Sequence, residues 1–156
     1  MHYELFMGAA LAEARGAARR GERPEGAVAV LDEAMVASGQ EEVISSGDPT
    51  AHAVVVTLRE AAQRLGRHSL RGLTVFSAVE PCAMCVGALL ESDVDGLVYA
   101  LADPTSGAAG SAIQLADTHM LRRRLNVVSG ILQDDAADLR DEHSRALVGG
   151  AVARRR

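Results

Sequence analysis

Apolar positions recur along this chain in two rhythms, one helical and one extended. From Tyr3 to Arg20, Leu5, Met7, Ala9 and Leu11 stand among alanines, which predicts a helix. The run Gly21-Glu22-Arg23-Pro24-Glu25-Gly26 breaks it. Ala27 to Leu31 and Ala34 to Ser38 are short apolar runs parted by Asp32-Glu33, the pattern of a hairpin. A polar loop from Gln40 to Gly47 then leads to a helix from Pro49 to about Leu65, stopped by Gly66. Leu73 to Val79 reads as a buried strand feeding a helix that carries Val86, Leu89 and Leu90 and ends at Ser92-Asp93. Further strands are expected at Gly96 to Ala100 and Asn126 to Ser129, with a last helix from Asp134 to about Leu147. Strands alternating with helices predict an α/β sandwich around a parallel or mixed sheet.

Chemistry concentrates at two predicted helix starts. In Asp48-Pro49-Thr50-Ala51-His52-Ala53-Val54, Asp48 suits an N-cap, Pro49 the first helical position, and His52 the first turn. In Glu80-Pro81-Cys82-Ala83-Met84-Cys85, proline opens the turn and the three-residue spacing sets both sulfurs on it. One imidazole and two thiolates are three ligands of a tetrahedral zinc ion, leaving the fourth position for water. Helix N-termini also favour the thiolate form. Read alone, the cysteine pair fits a redox motif or plain packing equally, and His52 an ordinary helix-start histidine.

Taken together, these stretches follow the H-x-E…P-C-x-x-C signature of the zinc deaminases. The chain resembles the cytidine deaminase-like superfamily, and within it the tRNA-specific adenosine deaminases and guanine deaminases. The likeness extends from the first helix through Glu25-Gly26-Ala27-Val28 and both ligand turns to Asp103 and the loop Gly107-Ala108-Ala109-Gly110-Ser111. It implies a three-layer α/β/α sandwich with a central mixed five-stranded sheet, and Zn2+ held by His52, Cys82 and Cys85. It also implies hydrolytic deamination of a nucleobase, nucleoside or related small heterocycle, with Glu41, Ala53 and Asp103 at the substrate. A homodimer joined through the Cys82 to Glu91 region is implied as well.

Two positions depart from the pattern. Val54 stands where the signature requires the glutamate that shuttles protons. Counting back from Asp48, Glu41 replaces the substrate-contacting asparagine of the resembled family. Among other acids that could take over proton transfer, Glu41 comes first, with Asp103 and His119 behind it, while Glu80 braces the ligand turn. Three readings stay open: an active deaminase with a rebuilt or impaired shuttle, a zinc-stabilised inactive subunit, and an active enzyme whose glutamate has been replaced at Val54.

Composition narrows the setting. A chain of 156 residues is read as one domain spanning 1–156, and without tryptophan its core must rest on Ala, Val and Leu. Two cysteines and no apolar signal segment point to the cytoplasm, and no run approaches the ~20 apolar residues of a membrane span. Net charge of −5 disfavours tRNA as a partner. Arg122-Arg123-Arg124 and Arg154-Arg155-Arg156 are local exceptions, read as solvated ends, and the loop at Gly107 to Ser111 is the feature that favours tRNA binding. His68 and His119 are read as surface residues.

Overall fold

The computed structural model describes the backbone of residues 1–154 and the side chains of residues 1–150. Its elements run α1 (Tyr3–Arg19), β1 (Gly26–Leu31), β2 (Ala34–Gln40), α2 (Val43–Ser46), α3 (Ala53–Leu65), β3 (Thr74–Val79), α4 (Ala83–Glu91), β4 (Gly96–Leu101), β5 (Asn126–Ser129) and α5 (Gln133–Arg154). The sheet order is β2-β1-β3-β4-β5. β1 is antiparallel to both β2 and β3, whereas β3, β4 and β5 are parallel, so the sheet is mixed as expected.

Alternation of side chains along each strand gives the sheet two apolar faces. Ala27, Ala29, Val75 and Leu97 belong to one core with α3 and α4, and Val28, Val30, Phe76 and Val98 to a second with α1 and α5. Helices on both sides of one sheet make the three-layer sandwich. Phe6 and Phe76 meet at 5.5 Å between ring centroids, anchoring α1 on the second face.

The hairpin turn is built from two non-glycine residues at positive φ, Asp32 (50°) and Glu33 (64°), the conformation that suits a two-residue connection. β2 extends two residues past the predicted end at Ser38, because Gly26 pairs with Gln40. Behind it, the expected polar loop holds the short helix α2. Glu22, buried to 1% exposure, accepts the amides of Ile44 (3.1 Å) and Ser45 (2.6 Å) and so caps α2 from a distance.

Two local expectations are corrected. α3 begins at Ala53, not Pro49, because Asp48 uses its carboxylate on Thr50 in a tight turn before the helix (Thr50 N–H at 2.8 Å, hydroxyl at 2.7 Å). Pro81 precedes the N-cap, which is Cys82 itself. Val86, Leu89 and Leu90 lie inside the first core.

Close approach of α3 to the sheet depends on Gly39. A Cβ there would stand 2.6 Å from the Thr57 hydroxyl and 2.9 Å from the Ala53 carbonyl. The start of α3 is thereby pressed onto β2.

Candidate metal centre

His52 and Cys82 occupy equivalent places, each the extended N-cap of its helix (φ −68°, ψ 150° and φ −73°, ψ 177°). Cys85 follows in the first turn of α4. The His52 Nδ1 atom lies 3.6 Å from Cys82 Sγ and 3.5 Å from Cys85 Sγ. Metal bonds of about 2.05 Å to nitrogen and 2.3 Å to sulfur, meeting at the tetrahedral angle, would set those atoms ~3.6 Å apart. The donor set therefore fits zinc in both chemistry and spacing.

Electrostatics agree. The Cys85 thiol donates to Cys82, and with the nearby His52 this brings Cys82 down to about 5 despite partial burial. Cys85, holding its proton for Cys82 in a buried setting, is pushed up.

Behind the imidazole stands a carboxylate pair. Glu41 is fully buried, and its Oε2 accepts from Arg23 Nε (3.0 Å) and Nη2 (2.8 Å), while Oε1 has no partner among the described residues. Glu25 is joined to Arg23 at 3.3 Å. Carboxylate oxygens of Glu25 and Glu41 and a ring nitrogen of His52 all fall within 4.8 Å of one another. Burial first, and the Glu41 charge second, push Glu25 up to about 8.

Glu80 points the other way. Its buried carboxylate accepts the amides of Asp103 (3.1 Å), Ala109 (2.9 Å) and Ser111 (3.1 Å), and the Ser111 hydroxyl. The loop is further tied to the ligand turn by the Ala108 amide on the Pro81 carbonyl, 2.9 Å. Asp103 folds back onto Thr105 and Ser106 (2.9 to 3.2 Å). Glu80 thus spends both oxygens, and Asp103 its Oδ1, on the loop's own backbone and hydroxyls.

Between these groups lies a cleft of about 110 Å³, lined by Glu25, His52, Ala53, Val54, Glu80, Cys82, Cys85 and Asp103 among others. Its size is well below the roughly 300–1,000 Å³ of sites for drug-sized ligands, and suits one flat ring. Val54 presents only methyl groups to this space. Ala53, Val54, Glu80, Asp103 and the three candidate ligands line one cleft; Glu41, expected at the substrate and first among replacement acids, is instead buried off that lining, and Glu25, which the sequence reading missed, is on it. His68 is exposed beyond the end of α3, and exposed His119 pairs with Arg124. Arg123 is spent on the C-terminus of α4, donating to the Leu90 and Glu91 carbonyls at 3.1 Å and pairing with Asp93 at 2.9 Å. Arg154-Arg155-Arg156 lies outside the residues with described side chains.

Known proteins share this arrangement. A family profile described as the cytidine and deoxycytidylate deaminase zinc-binding region matches residues 1–101. A tRNA-specific adenosine deaminase of Bacillus subtilis is 33% identical over 144 residues, 92% of this chain and 89% of that protein. A solved structure of a tRNA deaminase that edits A to I at the wobble position superposes with a TM-score of 0.83 at 34% identity, covering 86% of this chain and 97% of that one. The guanine deaminase structure from Bacillus subtilis gives a TM-score of 0.63 at 35% identity, over 72% of this chain and 69% of that one. The expectation from net charge that tRNA is disfavoured finds no support in relatives named for tRNA.

Proposed function

Since this chain belongs to the cytidine and deoxycytidylate deaminase family, we propose that it is a zinc-dependent hydrolytic deaminase of a nucleobase, working with an atypical proton shuttle. The observation that carries this is the convergence of His52, Cys82 and Cys85 at tetrahedral zinc spacing on the wall of a ring-sized cleft. Zinc held there would supply a Lewis acid that brings the pKa of a water toward ~7. Ala53 and Val54 form the apolar wall against which a heterocycle stacks its face. Glu80 fixes the far wall by holding the loop from Asp103 to Ser111.

Incubating the zinc-loaded protein with adenine, guanine, cytosine, their nucleosides and a tRNA transcript tests the reading; both tRNA and free bases are included because relatives are named for each. Ammonia release from one of them is expected. Stoichiometric zinc with no ammonia from any would defeat it. Val54 favours a second reading, an inactive subunit in which zinc only stabilises the fold. Chelation would then lower the melting temperature while no preparation of the lone chain turned over.

A further inference from the structure

The cleft has valine at position 54, where the signature has a carboxylate, and carries a carboxylate at Glu25. We propose that Glu25 is the proton carrier of this cleft, backed by Glu41 and steered by Arg23. This rests on the deaminase reading above.

Three observations point to it. Glu25 lines the same cleft as His52, Val54 and both cysteines. Its carboxylate lies within 4.8 Å of a His52 ring nitrogen, close to the metal position without being grouped with the two sulfurs as a ligand. Glu41 is fully buried, with one oxygen gripped by Arg23 and the other unpartnered among the described residues, and its carboxylate lies within 4.8 Å of that of Glu25. Of the other carboxylates on the cleft, Glu80 has both oxygens bonded to the loop, and Asp103 holds Thr105 and Ser106 through Oδ1.

The step balances as follows. In its ionised form Glu25 accepts a proton from the attacking water as the water oxygen bonds to the amine-bearing carbon. It then delivers a proton to the nitrogen side, the carbon–nitrogen bond breaks, and ammonia leaves with the bonding pair. One water is consumed and one ammonia released for each base converted, and Glu25 ends in its starting state. Arg23 and Glu41 keep the carboxyl in place throughout.

Four zinc-loaded proteins decide the matter: the parent, Glu25→Gln, Val54→Glu, and the double variant. On the substrate turned over by the parent, Glu25→Gln should lose ~10²–10⁴ in kcat with KM, zinc content and calorimetric affinity for the deaminated base retained. Val54→Glu added to Glu25→Gln should recover much of the loss, which a merely structural role for Glu25 would not allow. Glu25→Asp, with the acid set back, should fall between parent and Glu25→Gln. Glu25→Gln as active as the parent overturns the assignment and leaves the deaminase reading intact. A silent parent beside an active Val54→Glu also overturns it, because Glu25 then fails where a residue at 54 succeeds. Silence from the parent and Val54→Glu alike ends the deaminase reading, and this inference with it.

Discussion

Arg23 donates twice to one oxygen of the buried Glu41, at 2.8 and 3.0 Å, across 18 residues of sequence. The guanidinium is half in water while the carboxylate is wholly out of it, so the pair is asymmetric: Glu41 depends on Arg23 far more than the reverse. Removing the arginine leaves a buried charge uncompensated. Arg23→Ala should cost about 1.5–3 kcal/mol in urea unfolding. Adding Glu41→Gln should return part of that cost, since the stranded charge is gone.

The raised Glu25 makes metal-free stability fall with rising pH. The folded chain keeps a proton that the unfolded chain gives up near 4.5, and releases it only near 8. Its contribution is therefore whole at low pH, declines across that interval, and is lost above it. Glu25→Gln removes the slope. The gap in urea midpoint between metal-free Glu25→Gln and metal-free parent should widen in favour of the variant from pH 5 to pH 9; a constant gap would contradict the assignment.

Glu80 governs the loop and not the ligands. In Glu80→Ala the amides of Asp103, Ala109 and Ser111 lose their acceptor, and the segment from Asp103 to Ser111 should become the first site of limited proteolysis. Zinc content should be retained, and affinity for a bound base should drop about tenfold, near the ~1–3 kcal/mol of unsatisfied buried groups. Gly107→Ala should act in the same direction, because its Cβ would be driven against the Glu80 carboxyl and the Asp103 carbonyl.

Burial works against the Glu22 carboxylate, but the amides of Ser45 and Ile44 outweigh it and hold its pKa below the usual range. Glu22→Ala orphans both donors, and a lower midpoint of chemical denaturation is expected.

The metal ligands were legible because their chemistry is written in covalent spacing: two sulfurs three residues apart and a histidine at a turn. Helix starts were misplaced by a few residues because Asp48 closed its own small turn instead of capping α3. Glu25 escaped for a subtler reason. Counting outward from the Asp32-Glu33 turn without interruption sets Glu25 opposite Gln40. A register shift between Ala29 and Val30 moves the pairing by one, and the Glu41 amide donates to the Glu25 carbonyl at 3.1 Å. Periodicity carries no sign of that bulge. The apolar spacing of Val86, Leu89 and Leu90 marked the face of α4 that packs into the first core.

The two N-caps that meet at 3.6 Å sit thirty residues apart in the chain, on helices joined only through β3. An unfolded polypeptide emerging from the ribosome presents the sulfurs as a loose bidentate chelator and the imidazole nowhere near them. A metal ion that needs all three donors would be captured tightly only after the central strand has zipped into place, so its loading would double as a checkpoint on assembly.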